Sequence, residues 1–403
     1  MKRIKKILGV AVLALCFTIA AKADTQAAGK ITGIKQTDAG KSSVNVSVEP
    51  VLGTDYYALE LSSDNGANWT QVDKGSSADN LSYYSLSAGQ SYYARVRGYA
   101  DRDCTQPVTE YSDEIEVVTS PDTSKMKVMQ AGATTSGFTA KFSNVSGANT
   151  YFINYNDQTI GKSGNSTVKT SSKLSPASQY WVKAYAGRKS KSGFTAYEEY
   201  GYKYEQFKTL TNAVGRSSFG LSSEFYNIDT YYFSVNVSSA CDGTQLQFAT
   251  PAGKVKKTFS GNSSYRLEKF INGNFYKYRV RTYVNCGSKK AFSKWSSYRY
   301  IGVAKKVDSK INRKSYSSKY KTLSLNWSKV NGAAGYDVYI SNKRNSGYKK
   351  VKSLGANKRS ITITKYGKGA LKKSTTYYVR IIPKAKVGKK IVKSELYHLI
   401  TLY

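Results

Sequence analysis

LKKSTTYYVRII, residues 371–382, is the stretch on which the fold turns. A leucine leads, six positions on, to a tyrosine, and apolar and basic residues then alternate. The arrangement occurs four times. Leu86 leads to Tyr92, Arg95 and Val96; Leu174 to Tyr180, Lys183 and Ala184; Phe270 to Tyr276, Arg279 and Val280; Leu371 to Tyr377, Arg380 and Ile381. Alternation with period two marks a strand with one buried and one wet face. Upstream, a second spacing recurs. Val48, Phe142, Val237 and Trp327 each precede by nine residues a further core candidate, Tyr57, Tyr151, Leu246 and Tyr336. The strands ending near the first set alternate too, as in Leu323-Ser324-Leu325-Asn326-Trp327. Gly53, Gly147, Gly243 and Gly332 punctuate the turns between them.

The four tyrosines lie 88, 96 and 101 residues apart. Such repeats are too long for solenoid units, and each is large enough to bury its own core. Only 6 prolines and no helical stripe interrupt the pattern. The chain therefore reads as all-β, a tandem series of β-sandwiches. The expected boundaries are 29–119, 121–211, 212–303 and 304–403. Residues 1–23 read as a secretory signal: MKRIKK is a basic start, Ile7 to Ala21 is apolar, and Ala21-Lys22-Ala23 supplies the cleavage pattern. The apolar run is short for a membrane span, and no second long run follows. The mature chain is expected to be secreted, with no transmembrane span.

The repeats resemble fibronectin type III domains. The resemblance rests on Trp327 to Tyr336 with Gly332-Ala333 between, on Leu371 to Tyr377, on Tyr-x-Val-Arg-Ile at 377–381, and on Leu174-Ser175-Pro176 in the second repeat. It implies an array of immunoglobulin-like/fibronectin type III sandwiches of bacterial, secreted type. It also implies that Tyr92, Tyr180, Tyr276 and Tyr377 pin a loop through their hydroxyls. It says little of function, because the fold hosts many.

Charge is graded along the chain. Residues 24–120 carry 7 basic and 14 acidic side chains; residues 304–403 carry 25 and 3. Such a basic end is suited to a polyanion. In a sandwich of this type the central and C-terminal strands share a sheet. Alternation from Tyr377 then turns Tyr378 and Arg380 outward, and alternation from Tyr336 does the same for Tyr339. Lys349, Lys350 and Lys352 fall on the neighbouring strand, and Lys384, Lys386, Lys389, Lys390 and Lys393 on the last hairpin. Together they form a candidate polyanion-binding face with Tyr339 and Tyr378 as exposed aromatics. The aromatics also have a plain role, since cross-strand pairs stabilise sheets. The expected partner is an anionic polymer, a cell-wall teichoic acid or a host glycan. Nucleic acid is less favoured, because no nucleic-acid motif is present.

Three cysteines follow the signal: Cys104, Cys241 and Cys286. In the resembling fold Cys241 and Cys286 fall in connections at one end of the third sandwich, and export permits a bond. A Cys241–Cys286 disulfide is therefore the candidate, with two free thiols as the alternative. Closing that loop would stabilise by roughly 3–4 kcal/mol. Cys104 would be left unpaired.

Catalytic chemistry finds little support. His398 is the sole histidine and reads as a strand residue. No zinc-type cluster or phosphate loop appears, and no cofactor is implied. Asp101 and Asp103 flank Arg102 in a loop and read as solvated. Ser62 to Trp69, SSDNGANW, resembles the Asp-box of sialidases, with Asn68 where threonine is usual. Asn65-Gly66 within it is a strong hairpin turn. The sequence thus points to a non-catalytic binding or spacer protein; a carbohydrate-binding accessory of a secreted glycan-degrading system is the rival reading.

Overall fold

The inward positions of each repeat meet in a separate apolar core. In the computed structural model, Tyr377, Val379 and Ile381 pack with Leu323, Leu325, Trp327 and Tyr336. Val44, Val46, Tyr57, Leu59 and Val96 do the same in the first repeat. Phe138, Phe142, Tyr151, Tyr180 and Phe207 form the core of the second. In the third, Phe233, Leu246, Phe248, Tyr276 and Tyr278 meet, and Phe270 stacks flat on Tyr276 at 5.1 Å. The structure describes residues 29–155, 158–170, 173–223, 230–313 and 319–403. The signal segment expected over 1–23 lies outside them.

Each core is enclosed by two antiparallel sheets. In the first repeat Lys35–Ala39, Val44–Ser47 and Leu81–Tyr83 face a sheet of Thr70–Gly75, Tyr56–Ser62, Ser91–Tyr99 and Ile115–Val118, each in spatial order. In the fourth, Val307–Arg313, Lys321–Trp327 and Ser360–Ile363 form the smaller sheet. The larger runs Lys349–Gly355, Gly335–Ser341, Tyr377–Val387, and the last strand pairs with Lys390–Lys393 along one half and His398–Leu402 along the other. The second and third repeats follow the same order. The fold is therefore all-β, a tandem array of fibronectin type III-like sandwiches. Among the described residues the helical turn Arg216–Ser218 is a short 3₁₀ element, and no helix is long and apolar enough to cross a membrane.

The repeat tyrosines pin loops as expected in three repeats. Ser87 N donates to Tyr92 Oη at 3.1 Å, Ser175 N to Tyr180 Oη at 2.8 Å, and Lys372 N to Tyr377 Oη at 3.0 Å. A second set was not anticipated. Tyr57, Tyr151 and Tyr336 each accept from a backbone N–H six residues upstream, Val51, Val145 and Val330. A buried ring with a satisfied hydroxyl fills the core without an orphaned polar group.

The chain divides into two compact units, the residues up to Pro121 with Arg188–Tyr197, and Asp122–Gly187 with Glu198–Tyr403. Within the second unit neighbouring repeats share side chains. Leu210 packs with Val284, Cys286, Ala133 and Ala291, beside a Lys208–Asp242 ion pair of 2.5 Å. Glu395 accepts from Arg299 Nε at 2.6 Å and Tyr278 Oη at 2.9 Å, and pairs with Arg216 at 3.2 Å. Phe275 reaches the fourth core and Leu396 the third.

One inward position departs from the apolar rule. Lys321 begins a strand whose alternate residues Leu323, Leu325 and Trp327 are core. It is 2 % exposed, and its Nζ has no hydrogen-bond partner among the described residues. The Tyr377 ring lies 5.6 Å away. Burial pushes the ammonium below the ordinary lysine pKa. Lys321→Met is expected to stabilise the protein by about 1–3 kcal/mol at neutral pH, as for other buried charges replaced by apolar groups. Between the lowered folded pKa and the ordinary value near 10.4 the unfolded chain binds more protons, so wild-type stability rises with pH there. Denaturant melts across pH 7–10 should show the variant's advantage shrinking; a destabilised variant would contradict this account.

Candidate functional site

The outward face of the larger sheet in the fourth repeat is built around a buried carboxylate. Tyr336 and Val338 point into the core, so Asp337 between them points out. Its side chain is nevertheless only 1 % exposed, because three lysines close over it. Lys384 Nζ lies 2.6 Å from Oδ1, Lys393 Nζ 3.0 Å and Lys350 Nζ 3.4 Å from Oδ2, and Ser353 Oγ donates at 2.8 Å. Register explains the convergence. Asp337 faces Ser353 on one neighbouring strand and Ile382 on the other, and Lys384 faces Lys393 across the hairpin. Burial alone would raise the Asp337 pKa. The hydrogen bonds from Lys384, Ser353 and Lys393, with the charge of Lys384, outweigh it and hold the carboxyl well below the usual range.

The expected basic face thus has two kinds of member. Lys350, Lys384 and Lys393 are held by Asp337, although Lys350 and Lys393 keep 45 % and 51 % of their side-chain surface exposed. Lys352, Lys386, Lys389 and Lys390 are exposed, but of these Lys386 shares the outward side with Lys384, whereas Lys352 pairs with the inward Val338, Lys390 pairs with Val387 in step with the inward Ala385, and Lys389 lies at the hairpin turn; Lys349 extends over the Tyr366 ring at 5.0 Å. Arg380 departs from the expectation of a free cation. Its guanidinium lies 3.4 Å from the Tyr348 ring centre and 4.4 Å from that of Tyr397, and its Nε is buried without a hydrogen-bond partner among the described residues. Tyr339 stands opposite Arg380 and accepts from Lys393 Nζ at 2.9 Å. Tyr378 is half-buried opposite Ser341. Neither tyrosine is the fully exposed aromatic that alternation suggests: Lys393 lies over Tyr339, and Tyr378 sits between Ser341 and Thr401 of the flanking strands.

Asp337, Tyr348 and Tyr397 join the site only in the folded structure. Asp337 carried a usable signal, an acid on an outward position of a strand in a repeat with 25 basic residues. The two tyrosines carried none, because they reach Arg380 only through the folded sheet.

The same cation–π arrangement occupies other repeats. Arg95 lies 4.2 Å from the Trp69 ring centre and 4.0 Å from Tyr111, with Glu60 pairing at 2.7 Å. Arg279 lies 4.4 Å from Trp295, and Arg281 lies 4.3 Å from Trp295 and 3.7 Å from Phe292. These are the outward positions of the repeated stretch. They form internal stacks that rigidify the sheet.

The candidate disulfide is absent: Cys241 and Cys286 are both free thiols, as is Cys104. Pairing of Gly243 with Tyr283 places Cys286 one residue beyond the position facing Cys241. Cys241 Sγ points to Ser238 O at 3.1 Å, while Cys286 packs against Leu210 and Val284. Burial raises the pKa of all three thiols, which disfavours the thiolate.

The remaining motifs serve local structure. In Ser62–Trp69, Asn65 and Gly66 adopt positive φ, 61° and 88°, as a tight hairpin requires. Asp64 accepts from Asn68 N at 2.9 Å, Ser62 Oγ at 2.7 Å and Asn68 Nδ2 at 2.6 Å, and its pKa falls to about 2. Asp101 accepts from Thr105 N and Gln106 N, and Asp103 pairs with Lys74. His398 Nε2 lies 2.7 Å from Ala304 O; burial lowers its pKa, against the pull of that bond. Among the described residues no group of acidic, histidine or cysteine side chains could hold a metal.

No protein-family model and no curated protein matches this sequence. Three solved fibronectin arrays are similar to it. The FN1–FN3 domains of chicken CNTN1 share 11% identity over 93% of this chain and 98% of that one, with a TM-score of 0.20. A two-domain fibronectin type III segment of chicken tenascin shares 16%, over 46% and 97%, at 0.21. The central fibronectin-III array of RIM-binding protein shares 14%, over 69% and 98%, at 0.19. At these values the likenesses carry nothing about function.

The Asp337 cluster makes a direct prediction. Asp337→Asn leaves three ammonium groups crowded without their counter-charge. The lysines can turn toward water, so the expected cost lies near the low end of the about 3–5 kcal/mol typical of a broken buried pair. Because the folded pKa is depressed, the carboxylate's contribution is full above the ordinary Asp value of about 3.9 and is lost as pH falls toward the folded value. Urea melts between pH 7 and pH 2 should show wild type losing stability in acid and the variant lacking that limb. Equal stability at pH 7 would show that the carboxylate does not organise the face.

Proposed function

We propose that the protein is a non-catalytic, exported binding or spacer array that its C-terminal repeat holds on an anionic polymer, a cell-wall teichoic acid or comparable glycan. In this reading 304–403 makes the attachment, and 29–119, 121–211 and 212–303 are the remaining repeats of the array. The single observation that supports this best is the Asp337 cluster. One buried carboxylate gathers three ammonium groups, leaving a local surplus of two positive charges with Lys350 and Lys393 about half exposed. Lys386 extends the charge on the same side of the sheet as Lys384, and Lys352, Lys389 and Lys390 add exposed charge elsewhere in the repeat. Repulsion among so many lysines costs stability unless a partner neutralises it. A polymer of regularly spaced anions does so without needing a pocket.

Such binding is dominated by counterion release and weakens steeply with salt. The full chain is expected to bind polyglycerol phosphate, with log K falling linearly in log salt. Replacing Lys386, Lys389 and Lys390 by glutamine should reduce the slope by about one for each lysine that meets a phosphate. Undiminished binding at about 0.5 M salt, where screening is short-ranged, would overturn this reading, as would a variant with unchanged affinity and slope.

A further inference from the structure

The second repeat breaks the pattern of its neighbours in one respect. Three residues beyond the repeat tyrosine, the first, third and fourth repeats carry Arg95, Arg279 and Arg380, and each guanidinium lies against aromatic rings. None of Trp69, Tyr111, Trp295, Tyr348 or Tyr397 is fully exposed. The second repeat has Lys183 there, and its ammonium lies over Tyr202 at 5.0 Å. Trp181 and Tyr204 are left to stack on each other, at 5.2 Å between ring centres and 15° between planes. They are 52 % and 58 % exposed. Two large aromatics this exposed, side by side on the face of a sheet, present ring surface to a ligand.

We propose that Trp181 and Tyr204 form a stacking site for a neutral sugar ring of a polysaccharide, separate from the basic face of the fourth repeat. Two observations select this ligand. The first is charge. Trp181 faces Gln206 and Lys183 faces Tyr204 across the strands Gln179–Lys189 and Lys203–Lys208. Among the described residues this row has two cations: Lys183 is turned over Tyr202, and Lys208, opposite Gln179, is held by Asp242 at 2.5 Å. In a chain of formal charge +36, this strip offers aromatic faces and an amide rather than a free ammonium. Gln206 Nε2 donates to Gln179 Oε1 at 2.9 Å, and its own Oε1 remains an acceptor beside Trp181. A sugar supplies the complement, an apolar C–H face for the rings and hydroxyl donors for the amide. The second is size. A patch centred on two rings is far smaller than the roughly 800 Å² per partner of a stable protein interface, so a second copy or a folded partner is poorly matched.

Both rings are on the surface, so removing them leaves the core intact. The test uses the full chain, a panel of hexasaccharides of glucose, N-acetylglucosamine, mannose and galactose, and tryptophan fluorescence with saturation-transfer NMR. At least one hexasaccharide is expected to bind. Trp181→Ala and Tyr204→Ala should each weaken it by about tenfold or more, and about 0.5 M salt should not. Lys183→Arg keeps both rings and supplies the guanidinium found in the other repeats, and it is expected to lower affinity by covering the ring faces. The Lys386, Lys389 and Lys390 glutamine variant should bind sugar as wild type does. The proposal is overturned if no hexasaccharide binds at about 10 mM, a millimolar ceiling for weak sites. It is equally overturned if binding survives loss of both rings or disappears with salt.

Discussion

A β-strand shows alternate residues to opposite faces, and this single constraint governs the molecule. In each repeat the inward set is fixed by the need to bury aromatic and aliphatic side chains between two sheets. Tyr377, Val379 and Ile381 must face Trp327 and Tyr336. The outward set on the same strand is freed from that demand. Arg380 and Lys384 share the backbone of the core residues yet belong to a charged surface. Core and surface are therefore threaded through one stretch of chain, and each can vary with little effect on the other.

The outward set still has physics of its own. Arginines beside aromatic rings are stabilised by stacking, as Arg95, Arg281 and Arg380 are. Lysines crowded on one sheet repel, and the fourth repeat answers with one of its few acids at the point of closest approach. Glu395 does comparable work between the third and fourth repeats, where Arg299, Arg216 and Tyr278 converge on it. Two carboxylates thus each gather several basic side chains, one within a sheet and one between repeats.

The all-β architecture was legible because period-two alternation and two fixed spacings are local properties of sequence. The tyrosine pins at Tyr92, Tyr180 and Tyr377 followed from the same spacing. The candidate face was legible only in outline. Strand membership placed Lys349, Lys350 and Lys352 beside Tyr339, but the partners of Arg380 come from Tyr348 and Tyr397, which only the folded sheet brings near. The disulfide expectation failed on register: two cysteines at the same end of a sandwich are close in outline, but a one-residue offset directs Cys286 into the Leu210 cluster. Lys321 on an inward position ran against the pattern altogether.

These observations describe a modular array whose repeats carry different outward chemistry on a common interior. Fractionation of the producing cells, with a graded salt wash of the wall, tests the central claim most directly. The account predicts that the protein is retained on the wall at low salt and eluted as salt rises toward about 0.5 M. Recovery in the growth medium without any wall-bound fraction, or release only by detergent, would contradict it.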